Sequence, residues 1–357
     1  MVLQLYTCNG CGNQLYFENV FCQRCGATLG FVPEQLKLLA FENSGENLWK
    51  PIQSQPERWY RMCPNYYHQQ VCNWMVAVDD HEAFCVSCRL NHVIPNLSNA
   101  DNKVLWHRLE MDKRYFVYAM LRLGLPIAPR RPETSNGLAF EFLADVPFSG
   151  RKRVLIGHSK GLITINIAEA DPVTRERMRA QMNEPYRTIL GHFRHESGHY
   201  YWDRLIRHTY WLEGFRQLFG DETRNYRQAL ERHYQFGAPL DWQNYYISAY
   251  ASSHPWEDWA ETWAHYLHII DTLETASQFD LRVVAAYQTG SSLHDFNAYE
   301  QQDFNQIMDN WFPLSTALNA INRSMGQDLL YPFVINPPVI EKMRFIHQVI
   351  HAQGGRH

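Results

Sequence analysis

Residues 186–206 of the chain are YRTILGHFRHESGHYYWDRLI, and this stretch decides the fold. It contains no proline, and its composition suits a buried or half-buried helix, although Gly191 and Gly198 weaken that helix. On a helix His195 and His199 lie four residues apart, so both imidazoles share one face at the spacing that binds a single metal ion. The stretch therefore predicts a metal-binding helix.

Glu196, between the two histidines, would project beside the open coordination position of that metal. A carboxylate in this place can deprotonate a metal-bound water, which makes Glu196 the candidate catalytic base. The pattern His-Glu-x-x-His is short, however, and in a chain with 17 histidines it can arise by chance. A catalytic zinc normally has three protein ligands and one water, so a third ligand must come from elsewhere in the chain.

The third ligand is predicted from a second helix, which begins at Pro255 within the sequence HPWEDWAETWAH, residues 254–265. Glu257, Glu261 and His265 follow at intervals of four and share one face. We favour Glu257 as the ligand and Glu261 as the partner that orients a zinc-bound histidine. The alternatives for the ligand are Glu261, Asp258 and His254.

A solvated amphipathic helix is the competing interpretation of this segment, because acidic residues on helices usually face water. Three tryptophans at positions i, i+3 and i+7 argue against it, since they form an apolar stripe beside the carboxylates: Trp256, Trp259 and Trp263. Such a stripe indicates that the helix packs closely against the rest of the protein.

All eight cysteines lie in the first quarter of the chain, mostly as Cys-x-x-Cys pairs. A disulfide scaffold would extend over a whole small fold, so this clustering favours metal binding. Two matching knuckles, each followed by glycine, predict a zinc ribbon with one structural zinc on Cys8, Cys11, Cys22 and Cys25. A redox-active Cys-x-x-Cys motif is the alternative, but no thioredoxin-like strand and helix are evident beside the pairs.

A second structural zinc is predicted on four less regularly spaced cysteines, Cys63, Cys72, Cys85 and Cys88. A cysteine that faces away from the metal could be replaced by a neighbouring histidine, His68, His81 or His92. The other interpretation is one knuckle with two buried core cysteines. Four protein ligands leave no position for water, so neither cysteine site is a candidate for catalysis.

The composition excludes several classes of protein. Of 357 residues 45% are hydrophobic and 20% are charged, which excludes a disordered or coiled-coil protein. Lys and Arg total 33 against 37 Asp and Glu, so no bulk positive field is available and nucleic acid is not the expected partner. No stretch approaches the roughly 20 apolar residues of a membrane span, and no signal peptide is evident. We therefore expect a cytoplasmic protein with no membrane partner.

The fold class predicted for the chain is α+β, a mostly helical domain with a small sheet behind the cysteine modules. We place a zinc ribbon at residues 1–30, a linker with the second cysteine module at 31–98, and the metal-binding domain at 99–357. Residues 31–62 are interpreted as a polar connector, and the clearest strand is 162–167, where isoleucines alternate with polar residues. Later helices are predicted over residues 210–219, 226–234, 255–276, 295–312 and 339–352.

The motifs that occur along the chain are Cys8-x-x-Cys11-Gly, Cys22-x-x-Cys25-Gly, Val71-Cys-Asn-Trp74, Cys85-x-x-Cys88-Arg-Leu, His195-Glu-Ser-Gly-His199 and Pro255-Trp-Glu-Asp-Trp-Ala-Glu261. The last two resemble the gluzincin branch of the zincin metallopeptidases, whose third zinc ligand is the first glutamate of a Glu-x-x-Ala-Glu motif. Over nearly its full length the chain resembles the zinc-binding metallopeptidase family that carries an amino-terminal zinc ribbon.

The resemblance implies a zincin-like domain with one catalytic and two structural zinc ions. It implies His195, His199 and Glu257 as ligands of the catalytic zinc and Glu196 as general base, and it implies no particular substrate. In zincins an edge strand above the active helix holds the peptide in extended form, and residues 162–167 are similar in position. An interior strand is the alternative.

Four residues that precede Glu257 are candidate donors to the transition-state oxyanion, although each also fits a packed or helix-capping role: Tyr245, Tyr246, Tyr250 and His254. The expected activity is hydrolysis of a peptide or protein substrate, and the amino-terminal zinc modules are the expected site for a protein partner. Two other interpretations remain. One is a nucleic-acid-associated protease, and the other is a zinc-ribbon interaction module whose helix site is not catalytic.

Overall fold

The structure, a computed structural model, describes residues 4–53, 58–133, 136–145, 154, 156–182, 184, 186–283, 291–293 and 296–353. Contacts divide the chain into two units. The first comprises Met1–Arg122 and Pro126–Met182, and the second comprises Leu123–Leu125 and Asn183–His357. The domain limits predicted from the sequence, near residues 30 and 98, both lie inside the first unit.

The first unit holds both cysteine groups and most of the strands. Its strands are β1 (Leu5–Thr7), β2 (Gln14–Tyr16), β3 (Thr28–Val32), β4 (Lys37–Asn43), β5 (Trp49–Pro51), β6 (Tyr60–Met62), β7 (Met75–Ala77), β8 (Asn91–Val93), β9 (Ala139–Leu143), β10 (Gly157–Ser159) and β11 (Leu162–Asn166). Its helices are α1 (Pro64–Tyr67), α2 (Ala100–Arg122) and α3 (Pro172–Met182). β1 pairs with β2, β3 to β7 form an antiparallel sheet in chain order, and β8 to β11 form a mixed sheet.

In the described part of residues 31–62, the segment interpreted as a polar connector, the chain contributes β4, β5, β6 and the end of β3 to the five-stranded sheet. In β4 the side chains of Leu38, Ala40 and Phe41 are buried, whereas the strand ends are exposed. The polar residues 42–46 within this segment span the end of β4 and the turn to β5, where Gly45 has a φ of 136° that favours glycine. The prediction of a linker was wrong because turn residues between two strands resemble the residues of a domain connector.

The strand predicted over residues 162–167 forms as β11, with Ile163 and Ile165 buried. It is an interior strand, because β11 lies between β10, which is antiparallel to it, and β9, which is parallel. The edge is β10, which joins β11 through a tight turn whose residues Lys160 and Gly161 both have positive φ. The prediction of an edge strand was wrong because the three residues of β10 are too short to give a strand pattern.

The second unit is mostly helical. Its helices are α4 (Ile189–Leu205), α5 (Trp211–Phe219), α6 (Tyr226–Phe236), α7 (Pro255–Gln278), α8 (Phe304–Ser324) and α9 (Pro337–His351), and two short strands, β12 (Arg282–Val283) and β13 (Ser291–Ser292), pair with each other. With the sheets of the first unit, these helices confirm the predicted α+β class. In the part of the chain that is described, no helix has the length and apolar composition needed to cross a bilayer.

Helix α7 lies at the centre of the second unit, where it contacts α4, α5, α8 and α9. Of the three tryptophans in the stripe predicted on this helix, Trp259 and Trp263 are fully buried, and Trp256 is partly exposed. The indole of Trp263 stacks on Tyr201 of α4 with the ring centroids 5.1 Å apart. The packing of α4 on α7 thus brings the two sequence motifs against each other.

Candidate metal centres

Local sequence signals fix where α4 and α7 begin. The hydroxyl of Thr188 accepts a hydrogen bond from the backbone N–H of Gly191 at 3.0 Å and caps α4. The imidazole of His254 accepts from the backbone N–H of Trp256 at 3.1 Å, and Pro255 occupies the first turn of α7. His254, one of the alternative ligands, therefore serves as a helix cap.

The two helices approach each other closely at Gly198 of α4 and Ala260 of α7. A Cβ atom added to Gly198 would lie 2.8 Å from the Cα atom of Ala260, which is closer than real Cβ atoms come. The indole N–H of Trp259 donates to the carbonyl oxygen of Gly198 at 2.9 Å across the same contact. The glycine that weakens α4 as an isolated helix is therefore what allows the helices to meet.

Replacement of Gly198 by alanine is expected to lower the free energy of unfolding by about 1–3 kcal/mol, because the added methyl group meets backbone. The same displacement should separate the predicted metal ligands of α4 from those of α7 and so lower the affinity for zinc. Chemical denaturation and chelator competition measure the two effects. Gly157→Ala is the control, because a Cβ atom there meets nothing within 4 Å. Equal stability and zinc affinity in Gly198→Ala and the wild type would contradict the role of this contact.

Three of the predicted ligands come together in the second unit. The Oε2 atom of Glu257 lies 3.1 Å from Nε2 of His195 and 3.4 Å from Nε2 of His199. Tetrahedral zinc places its nitrogen and oxygen ligands about 3.3 Å apart, so this spacing fits the ion. Oε2 is buried, and the Nε2 atoms of the two imidazoles are the groups that face it. A buried carboxylate oxygen that faces two imidazole nitrogens is an environment that a bound cation satisfies.

Glu261 lies at the other nitrogen of His195. The Nδ1–H of His195 donates to Oε1 of Glu261 at 2.6 Å, and the hydroxyl of Ser248 donates to Oε2 at 2.7 Å. With its proton held at Nδ1, His195 presents the lone pair of Nε2, which is the atom that a metal requires. The roles predicted for Glu257 and Glu261, as ligand and orienting partner, require this arrangement.

Asp258, another alternative ligand, is bound to α9 rather than to the histidines. The ammonium group of Lys342 donates to Oδ2 of Asp258 at 2.6 Å and to the backbone oxygen of Tyr245 at 2.8 Å. The same ammonium group lies 4.4 Å from the ring centroid of Tyr246. This buried ion pair holds the start of α7 against the carboxyl-terminal helix.

Three residues, His195, His199 and Glu257, are called the metal group below. Opposing charges shift the pKa values of His195 and Glu257 within it. Burial lowers the pKa of His195, but the contacts with Glu257 and Glu261 outweigh it and raise that pKa well above 6.5. Burial raises the pKa of Glu257, but His199 and His195 outweigh it and hold that pKa well below 4.5. The carboxylates thus favour positive charge between them, and a divalent ion supplies that charge in place of a proton.

Two phenols lie close to the metal group. Burial raises the pKa of Tyr226 and of Tyr250, and the negative charges of Glu257 and Glu196 raise both further. The ring of Tyr250 lies 6.0 Å from that of His195, which makes Tyr250 the oxyanion candidate that lies against the metal group. Glu196, only 7% exposed, is near enough to both phenols for its charge to act on them.

Sequence reasoning missed Tyr226 entirely. Its hydroxyl donates to Oε1 of Glu257 at 2.5 Å, although the two residues are 31 positions apart in the chain. The contact depends on how α6 packs, so no local spacing or motif could have indicated it.

The first cysteine group has the geometry of a zinc-thiolate site. Its Sγ atoms are 3.8 Å apart for Cys8 and Cys25 and 3.6 Å apart for Cys11 and Cys22. Tetrahedral zinc with Zn–S bonds of about 2.3 Å places its sulfurs about 3.8 Å apart. The four predicted ligands therefore fit one ion.

The second group consists of the four predicted cysteines, Cys63, Cys72, Cys85 and Cys88, all of them buried. The Sγ atoms of Cys72 and Cys85 are 3.8 Å apart. Backbone N–H groups of Trp74 and Cys88 donate to these two sulfurs at 3.3 and 3.4 Å, which stabilises thiolate charge. Four sulfurs complete a tetrahedral site, so no neighbouring histidine is needed.

Comparison with known proteins divides the chain into two matched regions. Residues 102–349 match the family model described as "Putative zinc-binding metallo-peptidase", and residues 5–99 match a zinc-ribbon domain. An uncharacterized protein of Mycobacterium tuberculosis is 43% identical over 346 residues, which cover 97% of this chain and 94% of the relative. An uncharacterized protein of Mycobacterium bovis has the same identity and coverage. No solved structure matches the chain significantly.

Proposed function

The chain belongs to this zinc-binding metallo-peptidase family, and from that premise we propose that it hydrolyses peptide bonds at a zinc ion bound by His195, His199 and Glu257. One observation carries the proposal. Oε2 of Glu257 is buried and lies 3.1 and 3.4 Å from the two Nε2 atoms, which is the spacing of ligands around one zinc ion. A carboxylate oxygen in this position is stabilised by a metal ion.

The number of protein ligands supports a catalytic role for this site and structural roles for the cysteine sites. The metal group of His195, His199 and Glu257 offers three ligand side chains, so tetrahedral zinc would keep its fourth position for water. Each cysteine group offers four sulfurs, which would close the coordination shell. We therefore propose three zinc ions, one that exchanges readily and two whose coordination shells are filled by cysteine sulfurs.

The chemistry divides between the ion and the side chains around it. Bound at this site, Zn²⁺ would lower the pKa of a coordinated water and polarise the scissile carbonyl group. Glu196 accepts the proton of the attacking water and then delivers it to the leaving amine. Glu261 holds the proton of His195 at Nδ1, so that Nε2 stays available as a ligand. Tyr250 is the proposed hydrogen-bond donor to the oxygen that becomes negative in the transition state.

Selective metal removal tests the proposal. The zinc-replete protein is expected to cleave members of an unbiased peptide library, and 1,10-phenanthroline should abolish cleavage while it removes one zinc equivalent. The three-ligand site should lose its ion first, because its fourth position is open to the chelator. Zinc analysis, circular dichroism and cleavage after zinc is returned make up the measurement.

The non-chelating isomer 1,7-phenanthroline is the matched control and should leave cleavage unchanged. Cleavage that continues after the exchangeable zinc has been removed would overturn the proposal. A zinc-replete protein that cleaves no peptide in the library would overturn it equally.

A further inference from the structure

We propose that Tyr226 is a positioning residue that holds Glu257 to a single-oxygen contact with the metal, and so keeps one coordination position free. The inference rests on the proposed function, because it concerns the same ion and the same three ligands. It assigns a role to a residue that no motif in the sequence indicates.

The two oxygens of Glu257 have different surroundings. Oε1 accepts the hydroxyl hydrogen bond of Tyr226 at 2.5 Å, whereas Oε2 faces the Nε2 atoms of His195 and His199. The carboxylate is only 1% exposed, so bulk water is not available to satisfy Oε1. Without the phenol, Oε1 would be a buried acceptor with no donor, and the nearest positive charge would be the metal ion itself.

Whether Oε1 of Glu257 contacts the phenol of Tyr226 or the metal ion decides the coordination number of that ion. Zinc sites can expand from four to five ligands, and a carboxylate that turns its second oxygen toward the ion supplies the fifth. A hydrogen bond that occupies Oε1 opposes this rotation, because the rotation would have to break it. Tyr226 thus preserves the position that a water or a substrate carbonyl needs.

Aromatic contacts hold the phenol in place. The ring of Tyr226 packs edge-on against His254 and Trp256, with centroid distances of 5.2 and 5.5 Å. Trp256 in turn covers His199 with the ring centroids 3.8 Å apart. One contiguous aromatic group therefore consists of His254, Tyr226, Trp256 and His199.

The helix that carries Tyr226 contributes little else to the core. None of the side chains of α6 is buried, and Tyr226 itself is 37% exposed although its hydroxyl reaches a buried carboxylate. The side chain of Asn225 caps the helix by accepting from the backbone N–H of Gln228 at 3.0 Å, which fixes the residue that precedes the phenol. Because α6 packs through few buried groups, loss of one hydroxyl group should not unfold the protein.

The test compares Tyr226→Phe with the wild type after cobalt has replaced the exchangeable zinc. Each protein then contains one equivalent of cobalt and two of zinc. Five-coordinate Co²⁺ absorbs visible light more weakly than four-coordinate Co²⁺, so the visible bands report the coordination number. The variant is expected to show weaker bands, a zinc affinity altered by about 10-fold or more, and a lower kcat at similar KM. Tyr234→Phe on the same helix is the control, and its spectrum should equal that of the wild type.

An unchanged cobalt spectrum in Tyr226→Phe, with one cobalt bound and a native circular dichroism spectrum, would overturn the inference. Failure of the proposed function would give a different result. A wild-type protein that binds the ion but cleaves no peptide would refute catalysis. The comparison of cobalt spectra would still test the role of Tyr226. Cobalt X-ray absorption provides a second readout, because an added oxygen from Glu257 would raise the number of light-atom neighbours. No such increase in Tyr226→Phe would equally overturn the inference.

Discussion

Glu196→Gln is expected to lower kcat for peptide cleavage by about 10²–10⁴-fold, the range that general acid–base catalysis contributes. Glutamine has the size of glutamate but cannot accept the proton of the attacking water or return it to the leaving amine. Because Glu196 is not among the three side chains whose ligand atoms lie together at the proposed site, the zinc content should stay at the wild-type value. Initial rates on a cleaved library peptide, measured with zinc analysis of the same sample, check both parts.

Glu231→Gln is the control for this substitution, since the Glu231 side chain on α6 is 68% exposed and pairs with Arg227 on the surface. Its rate should equal that of the wild type. Equal kcat values for Glu196→Gln and the wild type would remove Glu196 from the mechanism. A loss of zinc in Glu196→Gln would instead mean that the residue supports the metal site.

Glu257→Gln and Glu261→Gln are expected to weaken zinc binding unequally. Loss of an orienting partner typically costs about 10–100-fold in metal affinity, which is the expectation for Glu261→Gln. Glu257→Gln should cost more, because it removes the negative charge that faces both Nε2 atoms. Titration against a chromophoric zinc chelator gives both dissociation constants.

Which of the two variants loses more zinc affinity identifies the third ligand. A larger loss in Glu261→Gln than in Glu257→Gln would make Glu261 the third ligand, which was the leading alternative from the sequence. Ser248→Ala is a useful companion variant, because the hydroxyl of Ser248 holds the second oxygen of Glu261 at 2.7 Å. It should weaken zinc binding in the same direction as Glu261→Gln and by a smaller factor.

The metal group could be predicted because its parts depend on spacing within helices. His195 and His199 are one turn apart on α4, and Glu257 and Glu261 are one turn apart on α7, so each pair shares a face by helix geometry alone. Three of the four cysteine pairs were predictable for a similar reason, since a Cys-x-x-Cys turn places two sulfurs where one ion can bind both. Each pair needed only local structure, whereas the meeting of the pairs depends on tertiary packing.

Contacts between distant segments could not be predicted in this way. Tyr226 of α6 meets Glu257 of α7, and Lys342 of α9 meets Asp258 of α7, only through tertiary packing of different helices. Gly198 gave a misleading signal, because its low helix propensity is a local property whereas its contact with Ala260 is tertiary.

The helix predicted over residues 295–312 shows how tertiary packing overrides a local rule. Its predicted first residue, Asp295, lies outside the described residues, and the observed helix is α8, Phe304–Ser324. The predicted end, Phe312, lies just before Pro313, and proline usually ends a helix. In the structure Pro313 lies inside α8 between the buried side chains of Trp311 and Leu314, whose packing offsets the lost backbone hydrogen bond.

Anomalous diffraction at the zinc absorption edge, on crystals of the zinc-replete protein, locates every bound zinc ion. We expect one zinc peak in each cysteine group and a third within about 2.0–2.2 Å of the Nε2 atoms of His195 and His199 and of Oε2 of Glu257. A water molecule should occupy the fourth position of the third ion. The absence of that third peak, or a coordination shell closed entirely by protein atoms, would refute zinc-dependent catalysis at this site.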